Sequence, residues 1–361
     1  MPRTSLPPGR RGERTGRFRG LRPLEGAPVP GSPRASTRPS RYRGDVEHRP
    51  SLDPAVAEGR RAVRQTLASL PEGATVLIGL SGGADSLALA AAVAFEAPKC
   101  GVRGISVTVD HALQSGSADA ASRAAALAGA LGLEARVVRV QVGDAGGPEA
   151  AAREARYAAL ADVAGREGAA AVLVGHTLDD QAETVLLGLA RGSGATSLQG
   201  MTPVARLAPG VELRRPLLEV RRTTTRAACA AEGLAVWDDP HNADPRYSRV
   251  RVRERVLPVL EAELGPGIAE ALARTAAQLR EDAEAFEEMI DETIEDIVEH
   301  AEAGISVSAA ALAANPAALR HRIIRHVVAA EFGASLTRAQ TLEVARLVTA
   351  WSGQGPIDLP G

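Results

Sequence analysis

From about residue 52 to 258 the chain alternates short β-branched runs with longer alanine- and leucine-rich stretches, and that alternation leaves few folds open. "VLIGL" (76–80) precedes a helix expected from about Ser86, and "GISVTVDH" (104–111) precedes one over roughly Ser117–Leu131. "ARVVRV" (135–140) leads into "EAAAREARYAALADVA", and "AVLVGH" (171–176) into "DDQAETVLLGLARG". The shorter "ELRRPLL" (212–218) precedes a helical stretch that contains Cys229. Such repetition predicts an α/β fold, a doubly wound and mostly parallel sheet with helices on both faces. Ligands of these sheets sit at the carboxyl ends of the strands. The polar clusters fall there: Ser81–Ser86, Asp110–His111 and His176–Glu183.

A length of 361 residues leaves room for one large or two medium domains. Residues 1–50 hold twelve Arg against four acids, with nine Pro and seven Gly, and show almost no apolar periodicity. They are expected to form a disordered basic tail. Residues 51–258 form the expected sheet domain, and 259–361 a small all-helical one, with helices over 259–300, about Pro316–Glu331 and Thr337–Trp351. The net charge of −2 leaves −10 outside the tail, so any contact with nucleic acid must rest on local patches. Two such groups stand out: Arg214, Arg215, Arg221, Arg222 and Arg226, then Arg246, Arg249, Arg251, Arg253 and Arg255. The acidic stretch Glu281–Glu299 reads as a solvated face. No apolar run reaches membrane-span length and no signal-peptide core opens the chain, so a cytoplasmic protein is expected. Two distant cysteines, Cys100 and Cys229, exclude a disulfide framework, a cysteine zinc site and a C-x-x-C pair.

"LIGLSGGADSLALA" (77–90) reads as a buried strand, a tight turn and the start of a helix. It lacks the lysine of a Walker loop. Gly82 and Gly83 permit close backbone approach, N–H groups at the helix start point at an anion, and Ser81 and Ser86 add hydroxyls. Asp85 would repel a phosphate unless a divalent cation bridged the two. A second stretch, "GHTLDDQAETVLLGLARGSG" (175–194), brings His176, Asp180 and Glu183 to one side of a helix start, suited to metal binding and proton transfer. Asp179 and Gln181 read as helix-start polar residues without a chemical role.

"SGGADS" resembles the loop of the ATP-pyrophosphatase (PP-loop) superfamily, whose members cleave ATP between its α- and β-phosphates on an adenine nucleotide α-hydrolase-like fold. The second stretch resembles the G-H-x-x-D-D-Q-x-E-T signature of the tRNA(Ile)-lysidine synthetase family. So do "DHALQSGS" (110–117), "EAAAREARY" (149–157), "RPLL" (215–218) and "DDPHNADPRYSRVRVRERVLPVL" (238–260), which together span most of residues 73–260. Gln114 stands where the family usually has Arg, Val250 where it has Asn, and the long C-terminal domain of some members is absent, which suggests the shorter form.

The resemblance implies that O2 of the wobble cytidine of tRNA(Ile) with a CAU anticodon is adenylated, and that the ε-amine of free L-lysine then displaces AMP at C2. It implies ATP held by Ser81, Gly82, Gly83, Ala84, Asp85 and Ser86, with Mg²⁺ on Asp85 and Asp180. His176 and Glu183 would position substrate or manage protons, and Arg249 would stabilise developing phosphate charge. The partners are then tRNA(Ile) and lysine, with no membrane and with a homodimer left open. Three rivals are distinguishable. A tRNA thiolase would normally use a cysteine pair or an iron–sulfur cluster. A small-molecule amidating synthetase would need neither the second signature nor the arginine groups. A nucleotide-sensing module would not need His176, Asp180 and Glu183 together.

Overall fold

The computed structural model describes residues 52–112, 116–143, 147–192, 194–237, 244–301, 304–355 and 357. The basic tail 1–50 and Gln114 lie outside the described residues. The elements run α1 (Pro54–Leu67), β1 (Thr75–Gly79), α2 (Ala84–Glu96), β2 (Arg103–Asp110), α3 (Ser117–Ala130), β3 (Glu134–Arg139), α4 (Pro148–Glu167) and β4 (Ala169–Val174). Next come α5 (Leu178–Arg191), α6 (Ala195–Leu198), β5 (Val204–Ala208), β6 (Val211–Arg214), α7 (Arg222–Ala231), α8 (Ser248–Arg251) and a π-helical turn (Val252–Val256). The rest is α9 (Leu257–Leu264), α10 (Ile268–Ile297), a hairpin of β7 (Val298–Ala301) and β8 (Gly304–Val307), then α11 (Ala309–Ala314), α12 (Ala317–Phe332) and α13 (Arg338–Thr349).

Six strands form one sheet in the order β3-β2-β1-β4-β6-β5, parallel throughout except for β5, which pairs antiparallel with β6 at the edge. The chain winds outward from β1 through β2 to β3, then returns to the other side of β1 with β4. A sheet that reverses direction in this way opens a crevice at the carboxyl ends of the two central strands. The two polar stretches singled out in the sequence leave β1 and β4 at that crevice.

Both faces of the sheet are covered, and the period-2 alternation of β1 divides them. Val76 and Ile78 pack with α1, α2, α3 and α7, through Leu67, Leu87, Leu89, Ala124 and Cys229. Leu77 packs on the opposite face with Ile105, Val172 and Leu160, the last from α4. A third cluster, Leu178, Ala182, Val252, Leu257 and Ala269, joins α5 to α9 and the start of α10. The distal half of α10 builds a separate core with α11, α12 and α13, centred on Ile323. The expectation of helix without strand up to residue 300 fails at its end: Val298–Ala301 is a strand, paired antiparallel to β8. No described helix is long and apolar enough to cross a membrane.

Candidate functional site

The turn between β1 and α2 is held by its own side chains. Gly82 has φ +85°, a conformation that a side chain resists. Gly83 caps α2 at φ −73°, and a Cβ built there would meet only the Ser81 hydroxyl, at 3.7 Å. Gly82 therefore shapes the turn, and Gly83 leaves open room in front of a helix N-terminus. Ser86 accepts from the Ser81 N–H at 3.1 Å and donates to the Gly83 carbonyl at 2.9 Å. It was expected to donate to a phosphate; here its proton is committed inside the loop, which it braces. Ala84 is buried, and Asp85 points from the first turn of α2 into the crevice.

Gly175 follows β4, where an added Cβ would lie 2.8 Å from the Asp85 carbonyl oxygen. The absent side chain lets the exit of β4 press directly on the phosphate turn. His176 lies outside α5, ahead of the capping residue Thr177, so the helical spacing expected for all three residues holds only for Asp180 and Glu183. Asp180 divides its oxygens. Oδ2 accepts from the Thr177 backbone N–H and hydroxyl, both at 2.8 Å, completing a capping box. Oδ1 faces the crevice.

One guanidinium joins the three acids. Arg222, the first residue of α7, donates to Asp180 at 2.7 Å, to the fully buried Glu183 at 3.0 Å and to Asp85 at 3.3 Å. Its own backbone N–H is held by Asp179 at 2.7 Å, so the first turn of α5 positions the first residue of α7. Arg253, carried on the π-helical turn, forms a two-pronged pair with Glu183 at 2.7 and 3.1 Å. Arg249 stands further off, 3.9 Å from Glu183, and donates to Thr184 at 3.2 Å. Glu183 thus acts as an anchor for arginines, with both oxygens engaged. Thr225 donates to Asp85.

The pKa directions follow from these contacts. Burial raises Asp85, and Thr225 and Arg222 only partly offset it. Burial also works to raise Asp180, but Arg222, the Thr177 N–H and His176 together hold it below the usual carboxylate range. Burial, with Arg215, Arg153 and Arg156 nearby, pushes His176 down to about 3, against the pull of Asp180. His176 is therefore held in its neutral form, and its buried Nδ1 has no hydrogen-bond partner.

Asp85 and Asp180 already share a single cation, the guanidinium of Arg222, so the donor set suits a divalent ion. Among the described residues no group of three or more His, Cys, Asp or Glu is placed to hold a metal alone. Two carboxylates completed by substrate phosphates is the usual arrangement for Mg²⁺.

The sequence had put Arg222 and Arg253 among RNA-facing basic groups, and their direct role in the crevice was missed. No local spacing signals it, since both arrive from distant segments. The first of those groups is not a basic surface. Arg214 and Arg215 are buried; Arg214 pairs with Glu212 and bonds the Thr66 carbonyl, and Arg221 pairs with Asp179 and Glu270. In the second, Val250 is buried, so the residue in place of the family's Asn packs inward. Gln181 reaches away from its own helix start: its amide clamps the backbone N–H and carbonyl of Met201 at 2.6 and 2.9 Å.

Cys229 sits behind the phosphate turn, 1 % exposed, and donates to the Ala84 carbonyl at 3.3 Å. Burial, with Asp85 and Glu232, pushes its thiol up to about 11. Iodoacetamide at pH 8 is expected to label the half-buried Cys100 at least about tenfold faster than Cys229, read by peptide mass mapping. Comparable labelling would show a reactive thiol at the crevice and revive a sulfur-transfer reading.

Residues 57–260 match the model of the PP-loop domain, an ATP-using module, and residues 308–361 match that of the TilS substrate binding domain. The chain is 60% identical over 294 residues to the tRNA(Ile)-lysidine synthase of Leifsonia xyli subsp. xyli, covering 81% of this chain and 87% of the relative. It is 53% identical over 300 residues to that of Streptomyces coelicolor, with 81% and 82% covered. For Mycobacterium tuberculosis the identity is 50% over 281 residues, with 78% and 83% covered. Among solved structures, the U34-tRNA thiolase NcsA from Methanococcus maripaludis, with its [4Fe-4S] cluster, shares the fold. The TM-score there is 0.54 at 22% identity, over 63% of this chain and 79% of that one. On identity and coverage together, the chain belongs to the tRNA(Ile)-lysidine synthase family.

Proposed function

We infer that this chain ligates free L-lysine to C2 of the wobble cytidine of tRNA(Ile) with a CAU anticodon, using ATP. The observation that carries the reading is the pairing of an open phosphate turn at Gly83 with carboxylates converging on one cation position, both at the carboxyl ends of β1 and β4. In the first step, O2 of the cytidine attacks the α-phosphorus of ATP and pyrophosphate leaves. In the second, the lysine ε-amine attacks C2, the C2–O bond breaks, AMP leaves and the amine loses a proton.

The chain's own groups divide this work. The N–H groups at the start of α2 face the space in front of Gly83, where phosphate oxygens would sit. Asp85 and Asp180 would hold Mg²⁺, which when bound would offset charge on the α-phosphate and pyrophosphate. Arg222 would then release those carboxylates, and its guanidinium, tethered at α7, would lie within reach of the phosphates. Glu183 keeps Arg253 in place, with Arg249 beside it.

We propose that the helical region read as 259–361 handles the tRNA. Support comes from a crowded cationic face on α12 and α13. His321 and Arg325 are both held below their ordinary values by burial and by neighbouring guanidiniums, Arg338 among them. Arg322 stacks on Phe286 of α10 at 3.9 Å. Lysine, ATP and tRNA meet in the cytoplasm, the compartment we propose.

One assay tests the reaction. Given ATP, MgCl2 and a tRNA(Ile) transcript but no lysine, the chain should release pyrophosphate and hold an adenylated cytidine; added lysine should release AMP and modified tRNA. ADP in place of AMP, or equal reaction of a transcript with uridine at the wobble position, would refute the reading.

A further inference from the structure

The phosphate turn requires two adjacent glycines, and together they leave one peptide free to turn over. Gly82 takes φ +85°, and Gly83 keeps the space in front of α2 clear. Rotating the peptide between them would carry Gly83 to positive φ, which glycine accepts at little cost. The two orientations are chemically opposite. In a trans peptide the carbonyl and the N–H point in opposite directions, so one orientation offers an anion a donor and the other an acceptor. A phosphate turn works only in the first.

The Gly82 carbonyl accepts from the Trp237 backbone N–H at 3.0 Å. A Cβ built on Gly82 would lie 3.8 Å from Cβ and Cε3 of Trp237 and 3.7 Å from Cβ of Ala124 in α3, so the indole and α3 wall the turn beside that bond. The donor is fixed by its own segment. The Leu234 N–H donates to the Cys229 carbonyl at 2.9 Å, and Leu234 and Val236 pack into the core that holds α2. Trp237 follows them, half-buried. Among the described residues, the Gly83 N–H at the other side of the peptide meets no acceptor. Ser86 braces the turn through the Ser81 N–H and the Gly83 carbonyl, and leaves the Gly82 carbonyl to Trp237.

We propose that Trp237 is a positioning residue for the phosphate turn. Its main-chain N–H locks the Gly82–Gly83 peptide with the Gly83 N–H toward the triphosphate, and its indole shields that bond from water. A shielded hydrogen bond is the stronger one. The inference rests on the phosphate-turn reading above and adds the element that keeps the turn in its anion-accepting form. The lock has a kinetic signature. A turn that spends only a fraction of its time with the donor outward loses ATP affinity by that fraction, whereas saturating ATP still gathers the whole population.

The test follows pyrophosphate release against ATP concentration, on the full chain with MgCl2 and saturating tRNA(Ile) transcript. Trp237→Pro deletes the N–H and should raise the ATP KM at least about 30-fold, with kcat within about threefold of wild type. Trp237→Ala keeps the N–H but loses the shield and should raise it about fivefold, while Trp237→Phe should restore it to within about twofold. The tRNA KM should stay within about twofold throughout, since only the nucleotide meets the turn. A second measurement leaves position 237 untouched. The chain has two tryptophans, so Trp351→Phe labelled with 15N-tryptophan leaves the Trp237 backbone amide as the single main-chain signal. An anion at the Gly83 N–H polarises the peptide and strengthens the bond at its carbonyl end, so ATP should slow hydrogen exchange of that amide at least about fivefold.

A Trp237→Pro chain with the wild-type circular dichroism spectrum and an unchanged ATP KM would overturn the proposal. Should that variant not fold, the exchange measurement decides alone. Bound ATP, confirmed by equilibrium dialysis, with no change in Trp237 exchange would overturn the lock and leave the phosphate turn in place. ATP that slows the same amide equally in a Gly83→Val chain would instead remove the phosphate-turn reading, and the lock with it.

Discussion

Arg222→Gln is expected to destabilise the chain by about 3 kcal/mol in Mg²⁺-free buffer, because removing one partner of a buried ionic cluster strands the others. Arg222 contacts Asp85, Asp180 and Glu183 at once, and its side chain is 16 % exposed. Arg253 still covers Glu183, but Asp85 would keep only Thr225. Millimolar MgCl2 should restore more thermal stability to the variant than it adds to wild type, where the guanidinium already occupies the cation position. Thermal melts with and without MgCl2 decide this. No stability loss, or an equal response to Mg²⁺, would mean that the acids do not share one cation position.

The pH dependence has a definite sign. In the wild-type chain Asp180 is held below its unfolded value, so its contribution is present above the unfolded carboxylate range, near 3.9, and is lost as pH falls through the folded value. Without Arg222, Asp85, already raised by burial, rises further, and Asp180 loses the strongest effect that holds it down, so both folded pKa values move up. Their penalty then grows as pH rises and is relieved as they protonate. The gap between variant and wild type should therefore be wider at pH 8 than at pH 5.5. The same variant should lose adenylation at both pH values, since the cation positions on the phosphates are disturbed.

The strand–helix alternation was legible because a parallel sheet imposes it: each strand must be apolar on both faces, and each crossover helix must have an apolar stripe. β5 escaped because an edge strand carries no such constraint; Val204 is exposed and Arg206 sits mid-strand. β7 escaped because "VEHA" continues the acidic texture of α10, and only pairing with β8 makes it a strand. For the crevice, the sequence displayed what is local. Gly82, Gly83 and Asp85 share one turn, and Asp180 and Glu183 share one helix. Arg222 and Arg253 were not legible as crevice residues, because their partner Glu183 lies 39 and 70 residues away. Arginine runs look alike whether they face water or carboxylates.

Gly83→Val separates the phosphate turn's shape from its occupancy, and it carries the largest expected loss of activity. The native conformation there, φ −73° and ψ 160°, is one that valine adopts readily, and the only neighbour of an added Cβ is the Ser81 hydroxyl at 3.7 Å. The fold should lose only the helix-cap preference for glycine over valine, about 1 kcal/mol. A phosphate drawn to the N–H groups of α2 needs the same space, so the branched side chain and the ligand exclude each other. Pyrophosphate release should fall by at least about a thousandfold, or roughly 4 kcal/mol, with a far-ultraviolet circular dichroism spectrum unchanged from wild type. Gly82→Val makes the contrast, since a β-branched residue at φ +85° strains the turn itself and should lower the melting temperature as well. A folded Gly83→Val chain that still releases pyrophosphate at the wild-type rate would show that the triphosphate binds elsewhere, and the space in front of α2 would then need another occupant.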